Sequence, residues 1–203
     1  MNPNGEMFAK LFEAIQSGAT MIEVIPDAEP QLLEAYGVMR WMHIRQHRKA
    51  EGNPRYERHP LQVCMLVRLA GGTLEQQIAA ILHDVVEDAE ESWSGMNETE
   101  MFDAIKRLFG IKVASMVLNV TDARGISREI KEERQLNQMS VCEDTRLVKA
   151  SDKICNAYDT KLGAPEQWSA DKVERKRNGG VKVVKLFPDL PQVMHEAAYL
   201  AVA

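Results

Sequence analysis

Apolar residues recur at three- and four-residue intervals along most of the chain, the period of an amphipathic helix rather than a strand. Met7, Leu11, Phe12 and Ile15 predict a short helix over 6–17, and "MIEVIP" behind it is the one β-like run. Asp27 and Pro30 open a long helical pattern, "QLLEAYGVMRWMHIRQHRK", which runs out in the loop "AEGNPR". A helix restarts near "HPLQVCMLVRLA" and stops at Gly71-Gly72. Thr73 and Gln76 have capping-box spacing, so the next helix starts there, and its pattern runs on to Asp88. Asn97 with Glu100 starts another, Gly110 closes it, and "VASMVLNVTD" resumes the helical period. The charged segments "SREIKEERQLNQM" and "DTRLVKASDKICNAYD" predict two more helices, with Leu147, Ile154 and Tyr158 on the core side of the second. Further helices are expected around 165–177 and 188–202. The expectation is an all-α fold: a short N-terminal extension, residues 1–26, and one helical domain, residues 27–203.

Composition narrows the class of function more than the fold. At 203 residues one core suffices, and an aromatic content of 6% argues against sandwiches and barrels. A net charge of -5 gives no global basic field for nucleic acid, so a small-molecule partner is expected. No window approaches 18 apolar residues and the start lacks a basic segment followed by an apolar one, so neither membrane insertion nor export is expected. Cys64, Cys142 and Cys155 form an odd set with no C-x-x-C pair, which suits reduced thiols in a cytoplasmic protein. Oligomeric state is not legible.

The chemistry concentrates in "AAILHDVVEDAEES", residues 79–92. On a helix advancing about 100° per residue, His83, Asp84, Glu87 and Asp88 share an arc of roughly 140°, opposite Ile78, Ile81, Leu82, Val85 and Val86. A polar arc facing an apolar one is what any surface helix shows. This arc, however, has no Lys or Arg against its three acids, and like charges at this spacing destabilise a helix unless a cation compensates. A histidine and one carboxylate need further partners to hold a metal. His59, in "RHPLQV", and Asp152, in "KASDKICNAYD", are of the right type. With His83 and Asp84 they make a two-histidine, two-aspartate set that suits manganese, iron or zinc, with manganese the first expectation. Glu87 or Asp88 could then act as general base on an attacking water. Arg45, Arg48, Lys49, Arg55 and Arg58 gather around His59 in sequence and offer a local basic rim for phosphates.

With these residues in hand, the chain resembles the HD-domain metal-dependent phosphohydrolases, which carry a histidine, a His-Asp pair and a distant aspartate. It is similar above all to the hydrolase domain of the RelA/SpoT enzymes and to the small stand-alone alarmone hydrolases. The matching text is "HRKAEGNPRYERHPLQV", "AAILHDVVEDA", "RLFGIKVASMVLNVTD" and "DTRLVKASDKICN", in order from about residue 38 to 160, with His59 lying 24 residues before His83. The resemblance implies a helical HD-domain bundle with metal ligation by His59, His83, Asp84 and Asp152. It implies Glu87 and Asp88 as the catalytic acids, Arg48 and Lys49 in the base-binding loop, and Asn156 turned toward the nucleotide. The implied activity is removal of the 3′-pyrophosphate of guanosine alarmones, ppGpp and pppGpp, in the stringent response. The sequence departs from the family's "ADRLHNMRT" with Lys153, Cys155, Tyr158 and Asp159, and the loop "GNPRYERHP" is one residue longer than the family's. These departures keep two rivals in view: hydrolysis of another nucleotide, such as a deoxynucleotide or phosphorylated dinucleotide, and a non-catalytic nucleotide-binding sensor.

Overall fold

Thr73, Asn97, Ser127 and Ser169 each accept a hydrogen bond from the backbone N–H three residues on, satisfying donors that a first helical turn leaves without partners. The computed structural model describes residues 3–48, 52, 54–92 and 94–203. Its helices are α1 (Pro3–Gln16), α2 (Met21–Val24), α3 (Pro30–Met42), α4 (Arg58–Leu69), α5 (Leu74–Ile81), α6 (Glu98–Val120), α7 (Arg128–Val141), α8 (Glu143–Gly163), α9 (Ala170–Leu186) and α10 (Gln192–Leu200), with a 3-10 turn at Ala89–Glu91. Among the described residues there is no strand, only an isolated antiparallel bridge between His47 and Arg55. The fold is all-α, as the hydrophobic period requires.

One apolar cluster joins Phe8, Phe12 and Ile15 of α1 to Leu61 and Leu66 of α4, Ile81 of α5, Ile154 of α8 and Met194 of α10. Helix α8 runs through the middle, packed on α4, α5, α7, α9 and α10, and α4 also lies on α5. This brings the start of α4, the end of α5 and the centre of α8 together at one place. The N-terminal segment shares the core. The Phe12 and Tyr158 rings meet edge to face at 4.7 Å, and Phe8 and Tyr158 at 5.4 Å. Phe12→Ala is therefore expected to lower the unfolding free energy by about 3–5 kcal/mol in urea titrations; a loss below about 1 kcal/mol would show that α1 contributes little.

Four elements differ from the expectations. "MIEVIP" is not strand-like: Thr20 and Glu23 form a capping box, and residues 21–24 make one helical turn. The long pattern after Pro30 ends at Met42 instead of running on to Lys49. Beyond it the Arg48 N–H donates to Pro54 O at 2.8 Å and the Tyr56 N–H to Gln46 O at 3.1 Å, so pairing across the loop replaces helical pairing. The helix expected at 165–177 begins at the Ser169 cap and continues to Leu186, through Gly179-Gly180. A Cβ at Gly180 would lie 3.3 Å from the Ile154 Cα, so a glycine there lets α9 approach α8 closely. The fourth difference, the end of α5, shapes the site.

Candidate metal centre

The helix carrying the polar stripe stops at Ile81, and residues 82–88 form successive turns, where the sequence predicts helix to Asp88. The His83 imidazole explains the break. Its Nδ1 donates to Ala80 O at 2.8 Å, taking the carbonyl that the Asp84 N–H would need for the helix to continue. The same bond fixes the ring. With Nδ1 committed to a carbonyl, Nε2 points away from the backbone and toward carboxylates.

His59, in the first turn of α4, is 1% exposed, and His83 is 2% exposed. One ligand atom each of His59, His83 and Asp84 lies within 4.8 Å of the others. Asp152 of α8 joins them: its Oδ1 is 3.2 Å from His59 Nε2 and 3.8 Å from His83 Nε2, while Asp84 Oδ2 is 3.0 Å from His83 Nε2. All four sequence-predicted ligands therefore converge. Donors that share one ion at about 2.0–2.2 Å lie about 3–4 Å apart, and the His83–Asp84, His59–Asp152 and His83–Asp152 pairs have that spacing. His83 Nε2 and His59 Nδ1 are buried nitrogens without a hydrogen-bond partner among the described residues. A buried imidazole nitrogen aimed at two carboxylates without hydrogen-bond geometry fits a divalent cation better than a structural ion pair.

The local field agrees. Burial disfavours the His83 imidazolium, but the Asp84 and Asp152 carboxylates outweigh it and push the pKa up to about 9. Burial also acts against the Asp152 carboxylate, yet Lys149 and the two histidines hold its pKa well below the ordinary range. A group whose folded pKa is raised stabilises the fold fully below its unfolded value, about 6.5, and loses that contribution as pH rises through about 9. Chelator-treated protein is therefore expected to lose thermal stability between about pH 6.5 and 9, and added manganese to remove much of that loss. Melting curves with EDTA and with metal would check this, and identical pH profiles would contradict it.

Lys149 is a participant the sequence reading missed. It is 7% exposed, donates to Val120 O at 2.8 Å, and stands 3.6 Å from Asp152 Oδ2 and 3.7 Å from Asp122 Oδ1. Its signal was present as a lysine three residues before Asp152 in the otherwise apolar "LVKAS". Tyr56 was also passed over, although its hydroxyl donates to Asp84 Oδ2 at 2.5 Å.

The two further acids occupy separate niches rather than a common helix face. Glu87 Oε2 accepts the Asp122 N–H at 3.0 Å, and burial raises its pKa. Asp88 Oδ2 accepts Gln46 Nε2 at 3.2 Å; burial, followed by the Asp84 charge, pushes its pKa up to about 6. Both remain partly exposed beside the cluster.

Among the expected nucleotide contacts, Arg48 donates to Asn156 Oδ1 at 2.7 Å and to Asp159 Oδ2 at 3.1 Å, while Asn156 Nδ2 donates to Asp152 Oδ1 at 2.5 Å. The structure thus links Arg48, Asn156 and Asp152 in one chain. Lys49 lies outside the described residues. The basic rim is less concentrated than its sequence suggests: Arg45 and Arg55 are exposed, and Arg58 turns back to the Gln16 carbonyl of α1.

The chain matches the HD domain over residues 35–173, a span that contains every residue of this cluster. The chain belongs to the HD-domain family. It is thereby a metal-dependent phosphohydrolase by descent. A zebrafish (Danio rerio) relative, guanosine-3′,5′-bis(diphosphate) 3′-pyrophosphohydrolase MESH1, is 32% identical over 158 residues, covering 76% of this chain and 82% of its own. The Homo sapiens protein of the same name is 30% identical over 171 residues, covering 82% and 90%. A solved structure of a metazoan SpoT ortholog, itself described as hydrolysing ppGpp, has the same fold, with a TM-score of 0.72 at 21% identity, covering 86% of this chain and 94% of that one. Among the described residues no helix is long and apolar enough to cross a membrane.

Proposed function

We propose that this HD-domain protein removes the 3′-pyrophosphate of ppGpp and pppGpp, releasing GDP or GTP and pyrophosphate. The observation that carries the reading is the convergence of His59, His83 and Asp84 ligand atoms within 4.8 Å, on a chain whose relatives are named for that reaction. His59, His83, Asp84 and Asp152 would hold the ion, and this mixed nitrogen and carboxylate set favours manganese. When bound, such an ion acidifies a coordinated water and withdraws charge from a phosphoryl oxygen. Asp88, with its pKa near 6, is ionised at neutral pH and can still accept a proton from the attacking water. Glu87, anchored by the Asp122 N–H, supplies a second carboxylate beside the cluster. Arg48 brings a fixed positive charge beside Asn156, one hydrogen bond from Asp152, and both would meet the nucleotide. Three free cysteines suit a reducing, cytoplasmic setting.

Incubating manganese-loaded protein with ppGpp should yield GDP and pyrophosphate on ion-exchange separation. Absence of both products at micromolar enzyme would refute the reading. A rival substrate retains one supporting observation, Asp159, which departs from the family motif and faces Arg48. The other three departures carry less weight, because Cys155 is buried in the core, Tyr158 packs on Phe8 and Phe12, and Lys153 donates to Gln135 Oε1 at 2.6 Å. A panel of deoxynucleotides and phosphorylated dinucleotides assayed for phosphate, pyrophosphate and triphosphate release decides between the substrates.

A further inference from the structure

Two residues outside the assigned set form a continuous chain to Asp88. His43, just past the end of α3, is 3% exposed, and its Nδ1 hydrogen-bonds Gln46 Oε1. Gln46 Nε2 in turn donates to Asp88 Oδ2 at 3.2 Å. The His43 ring stacks on Tyr56, with centroids 4.6 Å apart and planes at 27°, and Tyr56 donates to Asp84 Oδ2 at 2.5 Å. The segment after α3 therefore braces both a candidate ligand and a candidate proton acceptor from outside the cluster.

The chain has a direction. Burial keeps His43 below the usual imidazole pKa, hence neutral, and only an Nδ1–H can meet a carbonyl oxygen. That bond fixes the Gln46 amide with its oxygen toward His43 and its NH2 toward Asp88. The opposite orientation would set an amide oxygen against a carboxylate. His43 Nδ1, at 3.8 Å from Asp88 Oδ2, is already committed to Gln46.

We infer that the His43–Gln46 pair positions Asp88 for the reaction, holding Oδ2 so that Oδ1 is the oxygen left to accept the proton. This rests on the reading of Asp88 as proton acceptor. Gln46 is a positioning residue, acting through Asp88 and not on the substrate.

The test uses the full-length, manganese-loaded chain with ppGpp. Gln46→Ala should lower kcat about 10- to 100-fold with KM within about twofold, the size typical of lost outer partners. Gln46→Glu keeps the acceptor for His43 but loses the donor, and should be as slow as Gln46→Ala. Near-normal turnover by Gln46→Glu would overturn the inference. In an Asp88→Asn background Gln46→Ala should cause no further loss, whereas an equal loss in both backgrounds would mark a purely structural role and also overturn it. A readout independent of turnover is the urea double-mutant cycle of Gln46→Ala with Asp88→Ala. Coupling of the two is expected, and strict additivity would overturn the inference. If the wild type turns over no nucleotide, the hydrolase reading fails, while this cycle still decides whether Gln46 holds Asp88.

Discussion

Replacing Asp152 with alanine is expected to remove tightly bound metal and to reduce ppGpp turnover by at least about 10³-fold. Asp152 is the hub of the cluster: it meets His59 at 3.2 Å, Asn156 at 2.5 Å and Lys149 at 3.6 Å. Its removal also leaves the Lys149 ammonium, 7% exposed, with Asp122 at 3.7 Å as its remaining ion pair among the described residues. Breaking a buried pair on one side typically costs about 3–5 kcal/mol, so Asp152→Ala is expected to melt earlier as well. Asp152→Asn keeps the volume and one acceptor but still removes the charge, so it tests metal loss without opening a cavity while leaving Lys149 short of its partner. His83→Ala should lose metal without stranding a lysine. Elemental analysis of the purified variants, with circular dichroism to confirm folding, is the measurement. Full metal stoichiometry in both Asp152→Asn and His83→Ala would refute the ligand set.

The features legible in the sequence were those encoded by local spacing. Thr73 with Gln76 and Asn97 with Glu100 form the expected capping boxes because that motif needs only residues three apart. Gly110, with φ of 87°, breaks α6 where the pattern placed a stop, because a left-handed residue there is a local demand. The cluster itself was legible as residue types, since histidines and aspartates in apolar contexts stand out one at a time.

What local spacing could not convey was decided by contacts distant in sequence or by a side chain competing with the backbone. The end of α5 follows from His83 taking the Ala80 carbonyl, and hydrophobic period carries no trace of that bond. Glu87 and Asp88 consequently face Asp122 and Gln46, residues 35 and 42 positions away. The run of α9 past residue 177 was likewise not legible, because Gly180 packs against Ile154 of α8. Tyr158 was expected on the core side, but that its ring meets Phe8 and Phe12 of α1 was not. That contact also shows how residues before 27 enter the core: their partners lie on α4, α8 and α10, distant in sequence.

Asp88→Asn is expected to lower kcat by about 10²–10⁴-fold while leaving bound metal unchanged, the range for loss of a positioned general base. The asparagine retains an acceptor for Gln46 Nε2 and nearly the same volume, so neither the fold nor the His43–Gln46 chain has reason to move. What it cannot do is accept a proton. The pH profile is the more discriminating readout. Asp88 works only when deprotonated, and its pKa of about 6 reflects burial and the Asp84 charge in the metal-free protein. A cation on Asp84 would offset that charge and draw the value down, so the acid limb of kcat in the loaded enzyme should lie at or below about pH 6. Activity should therefore rise with pH through this limb and be insensitive to Asp88 ionisation above pH 7. Glu87, whose pKa is also raised by burial, would give a limb of the same sign, so the limb must be assigned by mutation. If Asp88→Asn keeps both the limb and most of the rate while Glu87→Gln abolishes them, the proton acceptor is Glu87, and the Gln46 amide holds a bystander.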